Sequence, residues 1–261
     1  MNERPAHARI LVALDESPRS AAALAAAAAL AAELDAELAG LFVEDINLQH
    51  LIGLPFTREF SVLSGELRPL SLGEMERLWR REAATLQRQL AEAAERLRLH
   101  WSFRVTRGTV SAEVSSLAQT FDLIVLGKRM SVRVRAPGRM AGAPAGGRVL
   151  VLFEALATSM HSLELGARLA RLNGVELVLL ISAEHEAAYR AACADAQAKL
   201  EEQGAAGRCI RLTILDGPTL LRLVHREQAG CLVLADKDRF LDRPGFERML
   251  DAIECPIVLA R

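Results

Sequence analysis

The sequence predicts an α/β fold of parallel strands linked by helices, with one structural unit used twice. The clearest local signal is Thr106 to Gly127: a strand end, a glycine turn, an amphipathic helix and a buried strand that stops on glycine. A weaker copy runs from Asp216 to Ala235. The second signal is positional. Arg9 to Asp15 matches Arg148 to Glu154, and Ala36 to Val43 matches Val175 to Ser182, both pairs 139 residues apart. Gly108 and Gly217, and the strands starting at Phe121 and Gly230, recur at an offset of 109. The offsets differ by 30 residues, so the first half carries an insertion of that size between its second and third strands.

Each element follows from local chemistry. Ile10 to Leu14 is a short apolar run bounded by Asp15, Ser17 and Pro18, as expected of a central strand covered on both faces. Ser17 suits an N-cap and Pro18 the first helical position, and the Ala-rich stretch that follows has high helix propensity. Leu38 to Val43 forms strand two, completing a right-handed βαβ unit. The insertion, about 44–72, is rich in turn residues, with one helical turn expected near Leu48 to Leu51. It reads as a cover for an apolar face or a lid over the crevice beside it, the cover being favoured. Ser71 and Glu74 form a capping box that starts a long helix ending near Leu97. Leu78, Leu86, Leu90, Ala93 and Leu97 are its expected buried stripe. Strand three is expected over 101–105, a helix over 111–120 and strand four over 123–126.

Glycines, prolines and arginines between Met130 and Gly147 read as a linker. The domains are therefore expected at 1–130 and 148–261, with the linker at 131–147. The second half repeats the order with strands at 149–153, 175–181, 209–214 and 231–235, and helices at 158–172, 185–203 and 218–228. It adds a helix near Pro244 to Ile253 and a last strand, Pro256 to Ala260, which the first half lacks.

Composition narrows the function. The 261 residues are 51% apolar and 25% charged with a net charge of −1, a balance that favours neither nucleic acid nor membrane partners. The polar start of the chain has no apolar h-region, and no apolar run approaches the ~20 residues of a membrane span, so a cytoplasmic location is expected. The four cysteines all lie in the second half without a CxxC pair, and read as core thiols rather than metal or redox groups. The six histidines are scattered, which argues against zinc.

Taken together, Ile10-Leu-Val-Ala-Leu-Asp-Glu-Ser17, Arg107-Gly-Thr, Asp122-Leu-Ile-Val-Leu-Gly127 and Cys255-Pro-Ile-Val-Leu-Ala-Arg261 resemble the universal stress protein family. The resemblance implies two tandem flavodoxin- or Rossmann-like domains with parallel sheets, the first lacking its C-terminal helix and strand. Some members of that family bind ATP. They use an acidic residue after strand one and a loop after strand four of the form G-x-x-G, nine residues, then G and Ser or Thr. Glycines there let backbone N–H groups approach phosphate oxygens.

Carried over residue by residue, Asp15 matches the acidic position, Val43 the end of strand two beside the base, and Gly127 the first loop glycine. Gly108 marks the turn after strand three. Met130 and Met140 stand where the second and third loop glycines belong, and neither nearby Gly138 nor Gly142 is followed by Ser or Thr. Lys128, Arg129, Arg133, Arg135 and Arg139 cluster there instead. They read as a solvated basic linker, or as an anion clamp replacing the lost N–H groups. The second half departs further, with Glu154 for the Asp and Asp236 and Asp238 where a triphosphate would sit.

Other chemistry is less well supported. No Gly-x-Ser-x-Gly elbow surrounds Ser111, Ser115 or Ser116, so a serine hydrolase is disfavoured. Glu44 and Asp45 read as the start of a polar loop rather than paired acids, and Thr109 and Ser111 as helix caps rather than ligand contacts. The expectation is a stress-linked binding or regulatory module, not an enzyme, acting on an unknown protein partner. The alternative is an adenine-nucleotide switch in the first half (cofactor residues Asp15, Val43, Gly108, Gly127, Lys128 and Arg129), and a nucleotide hydrolase ranks last. The resemblance also implies a homodimer in which Pro256 to Ala260 pairs with the same strand of a second chain.

Overall fold

The computed structural model describes residues 8–52, 58–60, 67–69, 72–127, 146–154, 157–235 and 252–260. The first half contains β1 (Arg9–Leu14), α1 (Pro18–Leu34), β2 (Glu37–Asp45), α2 (Ile46–Ile52), β3 (Arg58–Phe60), β4 (Leu67–Pro69), α3 (Leu72–Leu97), β5 (Trp101–Gly108), α4 (Val110–Ala118) and β6 (Leu123–Leu126). The second contains β7 (Arg148–Phe153), α5 (Ala157–Asn173), β8 (Leu177–Ser182), α6 (Glu186–Glu202), β9 (Gly207–Leu212), α7 (Gly217–Arg226), β10 (Ala229–Leu234) and β11 (Ile257–Ala260).

Nine strands form one continuous sheet in the order β5-β2-β1-β6-β11-β10-β7-β8-β9. Within each half the strands are parallel, and the two halves repeat one order outward from the middle. β11 is parallel to β10 but antiparallel to β6, with Ile257 opposite Leu126 and Ala260 opposite Leu123. The strands of one half therefore run against those of the other. This corrects the expectation for the last strand. Both edges of β11 are already occupied, so no edge remains for pairing Pro256 to Ala260 with a second copy. The fifth-strand place missing from the first half is filled by the second.

Two apolar layers sandwich the sheet, as burial on both faces of parallel strands requires. Residues of α1, α3, α5 and α6 cover one face, and those of α4 and α7 the other. Each layer contains residues from both halves. Helix α1 touches α5 across the junction, where Glu33 meets Arg168 at 3.7 Å and Arg171 at 3.4 Å.

Local signals place α1. The Ser17 hydroxyl accepts from the Ser20 N–H, Pro18 opens the helix, and Asp35 closes it in the left-handed region at φ 50°. Alanines 23, 27, 28 and 31 lie flat against the strands. The α3 stripe differs from the expected one. Met75 and Trp79 are buried with Leu86, Leu90, Ala93 and Ala94, whereas Leu78 is 59% exposed and Leu97 45% exposed. The aromatic ring, with more area to remove from water, sets the rotation of the first turns.

The insertion contains more structure than one turn: β2 runs on to Asp45, α2 follows, and β3 and β4 make an antiparallel hairpin. Leu48 packs on the α1/α3 layer, as a covering segment should. The capping residue Ser71, nearly all of the linker and most of the helix expected near Pro244 to Ile253 lie outside the described residues. The strand registers also shift one correspondence. Leu123 stands opposite Ile10 and Cys231 opposite Val149, so Leu123 matches Cys231 rather than Leu232. β10 also shifts register between Ala229 and Cys231.

Candidate functional site

In a doubly wound sheet the binding crevice lies beyond the carboxyl ends of the strands, where the strand order reverses. In the first half that point is between β1 and β6. Asp15 follows β1 directly, and its Oδ1 accepts from the Ser17 N–H at 2.9 Å and the Ser20 hydroxyl at 2.8 Å. The Ser20 oxygen in turn accepts the Asp15 N–H at 2.8 Å. The three residues close a ring that fastens the strand end to the first turn of α1. Ser20 is only 1% exposed, whereas Asp15 and Ser17 are half-buried, so the ring is anchored in the interior at its Ser20 end.

Gly127 completes the contact from the β6 side. Its N–H donates to the Ala13 carbonyl at 2.9 Å, extending the ladder by one residue. A Cβ added there would stand 2.8 Å from the Ser20 Cα and 2.9 Å from both the Ala23 Cβ and the Ser20 hydroxyl oxygen. Glycine is thus required by the close approach of α1, without appeal to a phosphate. Leu14 stands opposite Phe42, which puts Asp15 beside Val43 at the ends of adjacent strands. Val43 itself is fully buried with Val110 and Val114. Gly108 ends β5, opposite Asp45 and separated from β1 by the whole of β2. A Cβ on it would fall 2.6 Å from the Glu113 Oε1. The fold therefore gathers Asp15, Val43 and Gly127, and holds Gly108 apart. Lys128 and Arg129, with the rest of the basic cluster, lie outside the described residues.

Neighbouring polar groups are engaged in structure. Arg107 donates to the Glu44 carboxylate through two nitrogens, at 2.8 and 2.9 Å, and its guanidinium lies 6.0 Å from the Trp79 ring centroid. Asp45 accepts the Asn47 N–H at 2.9 Å at the start of α2. Thr109 caps α4 by accepting from the Ala112 N–H at 3.3 Å, as the sequence suggested.

The second half keeps an abbreviated version of the ring. The Glu154 N–H donates to the Ser159 hydroxyl at 3.3 Å, with Ser159 fully buried. Ser20 and Ser159 are themselves 139 residues apart, so the repeat offset, applied to single residues, would have revealed both. Asp236 and Asp238 lie outside the described residues.

A groove of about 400 Å³ lies in the second half between β9 and α7, floored by Ile210, Leu212 and Leu223 and edged by Arg211, Arg222 and Arg226. Its arginines are held within the protein: Arg211 by Glu186 and two carbonyls, Arg222 by the Thr219 hydroxyl, Arg226 by Glu227. Among the described residues no group of three or more His, Cys, Asp or Glu could hold a metal ion, and no helix is long and apolar enough to cross a membrane.

No family model and no curated protein matches this sequence. Solved structures do match its fold. A universal stress protein from Archaeoglobus fulgidus DSM 4304 superposes over 97% of this chain and 98% of its own, at 11% identity and a TM-score of 0.55. A provisionally named universal stress protein from Pseudomonas aeruginosa UCBPP-PA14 matches over 98% and 93%, at 14% identity and a TM-score of 0.53. A protein of unknown function from Pseudomonas aeruginosa PAO1 matches over 98% and 92%, at 15% identity and a TM-score of 0.51. The chain has the α/β fold of the universal stress proteins, and it matches them over nearly its whole length. At these identities the likeness is one of fold.

Proposed function

We propose that this chain is a universal-stress-type binding and regulatory module that acts in the cytoplasm through a protein partner and performs no catalysis. The observation that carries the reading is the ring of Asp15, Ser17 and Ser20 beneath Gly127. The acidic group expected to meet a nucleoside is hydrogen-bonded to its own helix start. The glycine expected to cradle phosphate is accounted for by the packing of α1. Glu44, another carboxylate at the strand ends, is held by Arg107. With Met130 and Met140 breaking the glycine spacing, little is left of a phosphate loop.

The position of Asp15, Val43 and Gly127 at the ends of neighbouring strands, beside the reversal of strand order, favours a second reading: an adenine-nucleotide switch in the first half. Isothermal titration of the purified chain with ATP, with and without magnesium, separates the two. Absence of heat at millimolar ATP is the expected result. Micromolar binding that disappears in Asp15→Ala would overturn the first reading and establish the switch.

A further inference from the structure

We propose that Cys193 on α6 and Cys209 on β9 are a redox pair, which a peroxide-class oxidant closes into a reversible disulfide stapling the helix to the strand. The pairing follows from how β9 lies on α6. Alternate residues of a strand share a face, so Gly207, Cys209 and Arg211 point the same way. A Cβ on Gly207 would touch the Leu200 Cδ1 at 3.0 Å. Arg211 reaches Glu186 at 2.9 Å. Both contacts are with α6, and Cys193 lies midway between Leu200 and Glu186, seven residues from each. Seven residues are about two helical turns, which keeps all three positions on one face. The register that seats Gly207 on Leu200 and Arg211 on Glu186 therefore seats Cys209 on Cys193.

The side chains bear this out. Cys193 is near enough to the Cys209 thiol, and to the Tyr189 hydroxyl one turn earlier, to raise both groups. Cys193 and Cys209 are both partly exposed, whereas Cys231 and Cys255 are buried and belong to separate apolar layers. Burial, together with the Cys193 sulfur, pushes the Cys209 thiol up to about 12, so Cys209 does not meet the oxidant first and resolves only because it is seated on Cys193. Burial pushes Cys255 up to about 12 and raises Cys231 further, making both poor nucleophiles.

The chemistry balances with one peroxide. The Cys193 thiolate attacks a peroxide oxygen; the S–O bond forms, the O–O bond breaks, and the departing hydroxide takes up a proton as water. Cys209 then gives up its proton and its sulfur attacks the sulfenic sulfur. The S–O bond breaks, the S–S bond forms and a second water leaves. Two thiols lose two electrons, and one peroxide becomes two waters. A small thiol reverses the step by exchange.

The test uses the full chain, treated with equimolar hydrogen peroxide, quenched, denatured and assayed for thiols. Unreduced peptides are mapped by mass spectrometry. The expected result is a fall from four thiols to two, with one cross-linked peptide joining positions 193 and 209, restored by dithiothreitol. Cys193→Ser and Cys209→Ser should each abolish the intramolecular cross-link. Four surviving thiols, a cross-link through Cys231 or Cys255, or sulfinic acid at Cys193 without a cross-link would each overturn the proposal. The wild-type map decides alone, so a variant that fails to fold does not blunt the test.

Discussion

Substitution of Gly127 by Ala tests whether this glycine serves packing or a ligand. The added Cβ would lie 2.8 Å from the Ser20 Cα and 2.9 Å from the Ala23 Cβ and the Ser20 Oγ. Ordinary carbon contacts are about 3.5–4.0 Å, so α1 has to move off β6 by about 0.7–1 Å. Two of the three obstructing atoms are a backbone carbon and an alanine methyl, neither of which can rotate away. The helix start is also tied to β1 through Asp15, Ser17 and Ser20. Overpacking of this kind costs about 1–3 kcal/mol, and the rigid neighbours put this site near 2–3 kcal/mol. For a chain of this length that is a fall in Tm of about 4–10 °C.

Equilibrium urea unfolding followed by circular dichroism measures the loss, with an unchanged m value marking a change in stability alone. Ser20→Ala supplies the control. By itself it removes a buried hydroxyl that both gives and accepts a hydrogen bond, at about 1–3 kcal/mol. Combined with Gly127→Ala it also removes one of the three clashes, so the double variant should lose less than the sum by 0.5 kcal/mol or more, roughly. A loss below about 0.5 kcal/mol for Gly127→Ala, with additive behaviour in the double variant, would refute the packing account. Gly127 would then have to be explained by a ligand.

Three further outcomes are expected. Trp79→Ala should cost about 3–5 kcal/mol and Leu78→Ala less than about 0.5 kcal/mol, because the ring is 5% exposed and the leucine 59%; equal losses in thermal melts would reject the observed rotation of α3. Burial raises the Glu227 carboxyl, but hydrogen bonds from Arg208 and Arg226 outweigh it and hold the group below its usual 4.5; Glu176 is lowered by Arg148 and Arg208. Their stabilisation is complete above the unfolded value near 4.5 and is lost as pH falls through the folded values, so Glu227→Gln should flatten the acid limb of a stability–pH curve and cost about 1–2 kcal/mol at pH 7, and an unchanged limb would count against the cage. Val258→Ala, at a fully buried position of β11, should cost about 2 kcal/mol and leave a single unfolding transition shared by both halves; two resolved transitions, followed by tryptophan fluorescence for the first half and total ellipticity, would show the halves to be independent.

Much of the fold was legible because its signals are local or periodic. Buried parallel strands such as Leu123 to Leu126 are unbroken apolar runs, and Ser17-Pro18 marks a helix start by its own chemistry. The repeat offset of 139 also survives as a contact: Arg9 pairs with Glu37 at 3.4 Å, and Arg148 with Glu176 at 2.6 Å. What the sequence concealed depends on partners distant along the chain. The α3 stripe could be drawn through Leu78 or Trp79, and only the packing of that helix on the sheet chooses between them. Asp15 and Gly127 were recognisable as neighbours in the crevice, but Ser20, which joins them, has nothing in its local sequence to mark it. The destination of β11 was hidden for the same reason, since an apolar strand of four residues pairs equally well with its own sheet, its sister half or another copy.

The shared strand has consequences for where this protein can meet anything else. A half-sheet ending at β6 would expose a row of backbone donors and acceptors, the usual template for unwanted pairing. Filling that edge with β11 from the other half removes it and fixes the halves head to tail. Their strand ends then open at opposite ends of the sheet, so one small ligand cannot span both crevices. Among the described strands of the sheet, β5 and β9 alone keep a free edge. A partner that adds a strand has to choose between them. The two edges differ in chemistry. β5 presents Arg107 held by Glu44 beside Trp79, whereas β9 carries Cys209 on the α6 face and floors an arginine-edged groove on the other. A disulfide to Cys193 would fix β9 to α6 without touching β5, so oxidation would act on one free edge and spare the other.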